Sequence, residues 1–415
     1  MSNNKKQPLV PWLRFPEFRE AAEWACAPLG RLFSERQEVG FTNLPLLSLM
    51  DKEGIIPQED TNRKNNSSAD KSKYLRVVPG DIAYNTMRMW EGRSAYASLE
   101  GLISPAYTVC APVDGINGIY FSYQFKTASL IREFRRYSQG LVKDTLNLKF
   151  ETFSRIEIPY PVEAQEQQKI ADCLSSFDNL IAAETQKLDT LKTYEKGLMQ
   201  QLFPREGETV PRLRFPDFRE SGEWEKVSLQ LVIEIASGQV DPTKPPYCDL
   251  PHVGGDNIEA GTGNLLNLRT AKEDGVISGK YAFDEHDILY SKIRPALNKV
   301  AAPDFSGVCS ADVYPIRPCG EMLRREFLVY LLRSESFVKY ATKHSGRGKI
   351  PKINREDLFA YDAMLPTLAE QECIASFLSS LDKRINLQSQ KLEDLQSHKI
   401  GLMQQLFPAL DEVGA

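Results

Sequence analysis

The sequence predicts an α+β chain: two similar mixed α/β domains joined by two long antiparallel coiled-coil helices in a pseudo-twofold arrangement. Three observations predict it. A stretch at the start of the chain returns near its middle, a heptad-patterned stretch closes each half, and short β-type segments fill the space between.

The duplication organises the rest. Residues 10–24, VPWLRFPEFREAAEW, return as residues 210–224, VPRLRFPDFRESGEW, at an offset of 200. Residues 166–181, EQQKIADCLSSFDNLI, return as residues 370–385, EQECIASFLSSLDKRI, and KGLMQQLFP ending at Pro204 returns as IGLMQQLFP ending at Pro408, both at an offset of 204. The interiors between these flanks are largely unrelated, apart from echoes at an offset of 206 that set residues 80–84 beside residues 286–290, Arg88 beside Arg294 and Ser104 beside Ser310. The chain therefore divides into a first domain at residues 10–160, a helix at 163–204, a second domain at 210–362 and a helix at 366–408.

Each domain opens on RFPEF or RFPDF, followed by a tryptophan and an amphipathic strand-like run such as residues 227–235. Short β-type segments between turn residues come next, among them LRVVPGDIAYNTM and YASLEGLISPAYTVCAP in the first half and FDEHDILYSKI and VCSADVYPIRP in the second. A helix is expected at residues 122–138 and 324–344, then a loop rich in glycine and lysine and a last strand.

The closing element of each half is built from good helix formers and ends at a proline. Its apolar seam is Ile170, Leu174, Phe177, Ile181, Leu188 and Leu191 in the first helix and Ile374, Leu378, Leu381, Ile385, Leu392 and Leu395 in the second, so each helix needs a partner. A helix of about 38 residues is about 57 Å long at about 1.5 Å rise per residue, which suits a spacer. Antiparallel return of the second helix along the first would bring Glu184 and Gln388, which interrupt the seam, together as a polar layer fixing register. The alternative is that each stripe packs on its own domain.

Composition narrows the function classes. A hydrophobic share of 42% and a charged share of 26% are those of a packed globular protein. The lysines near the start have no apolar run behind them, and no stretch of about 18 apolar residues occurs, so a cytoplasmic chain that neither crosses a membrane nor is exported is expected. Seven scattered cysteines without a CxxC read as reduced packing residues. The net charge of −5 argues against a nucleic-acid partner until its distribution is read. Residues 63–155 hold 14 basic and 8 acidic side chains, residues 269–357 hold 16 and 12, and the helix at 163–203 holds 4 and 7. Basic domains on an acidic stalk suit two nucleic-acid-facing heads.

The candidate contacts lie in two kinds of segment. Asn85, Arg88 and Arg93 in the first half, and Ser291, Lys292, Arg294 and Asn298 in the second, combine phosphate-seeking cations with side chains able to hydrogen-bond base edges. Arg88 and Arg294 hold equivalent positions and are equally readable as scaffold. The glycine-lysine loops add Lys143 and Lys149, and Arg347, Lys349 and Lys352, as backbone contacts or as solvated turns. GRGK at residues 346–349 lacks the GxxxxGK[ST] spacing of a phosphate-binding loop. Cys248 and His252 have ligand chemistry, but nothing nearby completes a metal site, and no motif of a nucleophile, zinc protease or dinucleotide fold is present. Neither a metal nor a catalytic residue is expected.

With its paired RFPEF/RFPDF entries, paired E-Q-x-x-I-A-x-x-L-S-S-x-D helices and paired GLMQQLFP ends, the chain resembles, over nearly its full length, the DNA-specificity subunits of type I restriction-modification systems. That resemblance implies two target-recognition domains, each reading one half of a split site in double-stranded DNA, and helices that set the gap and dock two modification subunits. It implies a non-catalytic chain without cofactors, the S-adenosylmethionine chemistry lying in the modification subunits and the ATP- and Mg-dependent work in restriction subunits. The competing classes are a structural adaptor, separable by salt-dependent DNA binding, and an enzyme acting alone, for which no site is visible.

Overall fold

The computed structural model describes residues 10–50, 54–61, 68, 70–346 and 349–408. The chain forms two compact units: residues 1–184 with 391–415, and residues 185–390. Each unit thus consists of one mixed domain, the first part of its own long helix and the last part of the other.

The two units share one strand plan. In the first, a four-stranded antiparallel sheet runs in the order Phe33–Glu35, Tyr107–Pro112, Ile82–Asn85, Ser94–Tyr96; in the second, Ile233–Ile235, Val313–Pro318, Ile288–Ser291, Val300–Ala301 follow the same order. Register repeats too, Ile82 opposite Cys110 and Ile288 opposite Ile316, each pair displaced by 206. The sequence echo at that offset is therefore a shared sheet. Leu75–Val77 pairs with Gly101–Ile103 as Tyr281–Phe283 pairs with Gly307–Cys309, again 206 apart. The units differ beside these pairs: the first adds the hairpin Leu47–Met50/Gly54–Pro57, while the second adds Pro251–Val253, parallel to Gly307–Cys309, and Arg269–Thr270.

Three local expectations are corrected. The run at 227–235 is two strands, Glu225–Ser228 and Ile233–Ile235, in different sheets and separated by a 3-10 turn. The helix expected at 122–138 is two, Gly118–Gln124 and Ala128–Tyr137, and that at 324–344 is Arg325–Arg333 and Glu335–His344. At the second break the Ser334 hydroxyl accepts from the Phe337 N–H, so a capping residue restarts the helix where no proline or glycine marks a stop. A short helix, Phe150–Phe153 or Arg355–Phe359, also precedes each last strand.

The long helices are Ala164–Leu202 and Leu368–Leu406. Within the first unit they run antiparallel: Asp178 pairs with Lys399, Glu184 with Lys391, and Phe177 stacks on His398 at 5.5 Å. Ile170, Leu174, Leu188, Ile374, Leu378, Leu381 and Ile385 are buried, while Phe177, Ile181, Leu191, Leu392 and Leu395 are half-buried. Glu184 belongs to the first unit and the buried Gln388 to the second. The helix ends do more than pair. Ile170 and Leu174 join Trp24, Phe33, Tyr120, Phe121 and Phe153 in one apolar core, to which the far end of the second helix adds Leu406 and Phe407. In the second unit Phe203, at the end of the first helix, stacks on Phe327 and meets Trp224 edge-on.

The repeated motifs close these units. Arg14 donates from Nε and Nη2 to both oxygens of Glu166 (2.8 and 2.7 Å), and Arg214 likewise to Glu370 (2.7 and 2.7 Å), with all four side chains buried. That hydrogen bond to Glu166 or Glu370 raises each guanidinium above its ordinary pKa. The next residue of each EQ pair clamps the backbone. Gln167 accepts from the Asn117 N–H and donates to the Pro161 carbonyl; Gln371 accepts from the Arg324 N–H and donates to the Pro366 and Met322 carbonyls. The backbone N–H of Leu13 donates to the Gln405 carbonyl, as that of Leu213 donates to Gln201, so each entry motif is tied to the GLMQQLFP end of a helix.

Candidate nucleic-acid interface

In each domain the strand of the repeated GDIAYN or HDILYS segment ends in a turn, and the candidate readers lie on it. Ile82–Asn85 leads to residues 86–93, and Ile288–Ser291 leads to residues 292–299. The glycine-lysine loop is fastened to that turn in both units: the Leu148 N–H donates to the Thr86 carbonyl at 2.8 Å, and the Ile353 N–H donates to the Lys292 carbonyl at 3.1 Å. A second bond, from the Arg294 N–H to the Pro351 carbonyl (2.8 Å), strengthens the link in the second unit. The two kinds of candidate segment, about 60 residues apart in sequence, thus form one surface per domain.

In the first domain Asn85 is half-buried and its Oδ1 accepts from the Met87 N–H at 3.0 Å, shaping the turn. Arg88 and Arg93 flank Glu91, each at 3.3 Å, with more than two-fifths of each guanidinium side chain in water. Exchange of such a partner for a phosphate costs little, because exposed pairs contribute little. Lys143 and Lys149 are exposed. Lys149, Asn147, Thr86, Met87 and Tyr107 border a cleft of about 760 Å³.

The second domain presents fewer of its candidates. Ser291 is buried at the strand end, and Lys292 turns inward, donating to the Ala311 carbonyl at 2.7 Å and lying 5.3 Å above the Tyr314 ring. The Asn298 amide donates to the Arg333 carbonyl at 3.2 Å. These three build the turn. Arg294, Lys349 and Lys352 are exposed, whereas Arg347 lies outside the described residues. Arg294 and Asn298 both hold left-handed backbone (φ +48° and +50°), a conformation rare for side-chain-bearing residues. Such geometry persists only where its surroundings enforce it; here Arg294 stands between Ile293, bridged to Lys352, and Pro295. Arg88, at φ −132°, lies outside the left-handed region, so residues equivalent in sequence stand on different backbone in the two domains.

Elsewhere, His252 is buried with Nδ1 2.9 Å from Asp274, which accounts for the histidine singled out beside Cys248. Among the described residues no group of three or more His, Cys, Asp or Glu side chains is arranged to hold a metal ion, and no helix is long and apolar enough to cross a membrane.

Comparison with known proteins adds an independent line. A family model described as the type I restriction modification DNA specificity domain matches twice, at residues 60–193 and 221–397. The EcoDI specificity subunit of a type I restriction enzyme from Escherichia coli is 31% identical over 199 residues, 46% of this chain, which spans less than half (41%) of that relative's length. The MjaVIII specificity subunit from Methanocaldococcus jannaschii is 24% identical over 394 residues, 86% of each chain. Among solved structures, the S subunit of a type I restriction-modification system from M. genitalium superposes with a TM-score of 0.58 at 13% identity, covering 96% of this chain and 99% of that one. A chain from a study of assembly and conformational transition of a type I R-M system gives 0.56 at 14%, covering 92% and 97%. At these identities the structural likeness speaks to the fold.

Proposed function

The chain belongs to the type I restriction modification DNA specificity family, and from that premise we propose that it directs a restriction-modification complex to a bipartite site in double-stranded DNA. Each domain reads one half-site through its strand-end turn and the lysine loop fastened to it. The paired helices set the gap and dock two modification subunits. The chain itself is non-catalytic; S-adenosylmethionine belongs to the modification subunits, and ATP and Mg to the restriction subunits that complete the cytoplasmic assembly.

One observation carries this reading: the same sheet, in the same register, ends in unlike turns in the two domains. Duplicated scaffold with divergent tips is what reading two different half-sites requires. Cations on each tip supply phosphate contacts, which hold a protein in place on DNA without specifying sequence.

Mapping methylated bases in the genome of a host carrying the system tests it. The expected result is a split motif of two unlike parts with a fixed gap. Inserting one helical turn, about 5.4 Å, into both long helices changes the gap and leaves both half-sites as they were. An uninterrupted motif, or an unchanged gap, would contradict the reading.

A further inference from the structure

The lysine loops carry an unexpected cargo. Leu141 is 100% exposed and Val142 61% exposed, directly before Lys143; in the second domain Ile350 is 56% exposed, between Lys349 and Lys352. Single apolar side chains in water are common on protein surfaces and need no explanation. Leu141 differs because the loop that holds it is built with care.

Gln139 and Asn147 pair backbone to backbone in both directions (2.8 and 2.9 Å), closing the base of the loop. Inside it the Thr145 N–H and hydroxyl both donate to the Val142 carbonyl (2.9 and 3.0 Å), and the Thr145 hydroxyl oxygen accepts from the Val142 N–H at 3.2 Å. Gly140 has φ +150°, and a Cβ there would lie 2.6 Å from the Thr145 backbone, so only glycine permits the turn. The tip is thus an ordered structure that holds a leucine out in solvent, and Leu148 ties it to the reading turn at Thr86. In the second domain Ile350 is secured next to the reading turn by the bond from Arg294 to Pro351 and the bridge from Ile293 to Lys352. Each loop thus exposes an aliphatic side chain, with lysines close by in sequence, in the segment that leads to its bond with the strand-end turn: Leu141 before Leu148, and Ile350 before Ile353.

That combination selects its partner. An apolar protein patch would leave the neighbouring ammonium groups poorly solvated, whereas a DNA groove offers phosphates for the lysines and apolar base edges for the aliphatic group. We propose that Leu141 and Ile350 are groove-entering residues, each packing against the C5 methyl of a thymine in the half-site its domain reads. The inference rests on the reading of this chain as a DNA-recognition subunit. It adds that one thymine of each half-site is recognised by an aliphatic contact as well as by hydrogen bonds.

The test uses the full chain assembled with its modification subunits and duplexes selected by the wild-type complex from a randomised pool. Thymines in the selected duplex are replaced one at a time by deoxyuracil, which lacks only the methyl group. The wild type is expected to lose roughly tenfold in affinity at one thymine of the first half-site. Leu141→Ala should lose about as much on the thymine duplex and nothing further on the deoxyuracil duplex, with its salt dependence intact. Ile350→Ala should behave likewise at the second half-site. The proposal is overturned if Leu141→Ala binds as the wild type does, if it only weakens subunit assembly, or if the wild type binds every deoxyuracil duplex as tightly as the thymine duplex. A wild-type complex that selects no sequence overturns the underlying DNA reading instead, so the two failures are distinct.

Discussion

Asp178 and Asp382 occupy equivalent places in the two long helices, and each accepts a hydrogen bond from a tyrosine of its own domain, Tyr123 at 2.6 Å and Tyr330 at 2.7 Å. The residue facing them from the opposite helix differs. Asp178 meets Lys399, while Asp382 meets Glu195, although Lys399 and Glu195 are themselves equivalent at the offset of 204. One unit holds an ion pair; the other holds two carboxyl groups that share a hydrogen bond. Burial first, then the bond to Asp382 and its charge, push Glu195 up to about 8, against the pull of Arg333 and Lys192. Arg333, 3.4 Å from Asp382, supplies from the domain the cation that the helix lacks. What the repeat preserves is contact between a helix and its own domain. Contact between helices is freer to change, provided a proton or an arginine balances the charge.

The preserved contacts should therefore be the costly ones to break, and the largest effect is expected at the entry motif. Arg214→Ala leaves Glu370 buried without its guanidinium and should cost about 3–5 kcal/mol. Arg14→Ala should cost less, because Trp24 Nε1 still donates to Glu166 at 3.1 Å, whereas Trp224 Nε1 has no partner among the described residues. Hydrogen exchange, which reports opening of each unit separately, checks the order. Equal losses in the two units would break the comparison.

How far these contacts were legible follows from what sequence patterns encode. The heptad stripe gave the apolar face of each helix, but periodicity does not say what covers a face. Ile170 and Leu174 are core residues of a domain, and Leu406 and Phe407 complete that same core from the other end of the chain. The duplicated Arg, Glu, Gln and Asp positions were visible as repeated letters. Their pairing across about 150 residues could come only from the fold. In the candidate site Lys143, Lys149, Arg294, Lys349 and Lys352 are exposed, while Ser291, Lys292 and Asn298 are absorbed by the turn they build, since a strand end and two left-handed residues demand local partners. Glu91, between Arg88 and Arg93, was the available sign that these arginines have a local partner. Leu141 and Ile350 are not legible in the sequence, because an aliphatic residue in a loop carries no signal until its exposure is known.

A smaller effect is expected where the helices meet. Lys399→Glu recreates in the first unit the carboxyl pair of the second. It should destabilise the first unit by about 1–2 kcal/mol near pH 7, the pair being only partly shielded from water. Glu195→Lys, the reciprocal change, should cost less, because the new lysine gains Asp382 while approaching Arg333. Thermal unfolding of the two variants, compared with the wild type, would reverse this order if the helix position were as constrained as the domain contact.

The finest test is the pH dependence of the second unit. Glu195 binds its proton more tightly folded than unfolded, with a folded value of about 8 against an ordinary 4.5. Across that interval the folded form holds more protons than the unfolded one, so the contribution of Glu195 to stability is greatest below about 4.5, falls as pH rises and levels off above about 8. Glu195→Gln keeps a hydrogen-bond donor towards Asp382 but cannot ionise, so it should flatten this slope without altering the behaviour of the first unit, where Lys399 takes that place. Urea unfolding at a series of pH values, read by hydrogen exchange in the helix around residues 188–202, measures it. A variant whose slope matches that of the wild type would place the proton elsewhere and remove the contrast between the two units.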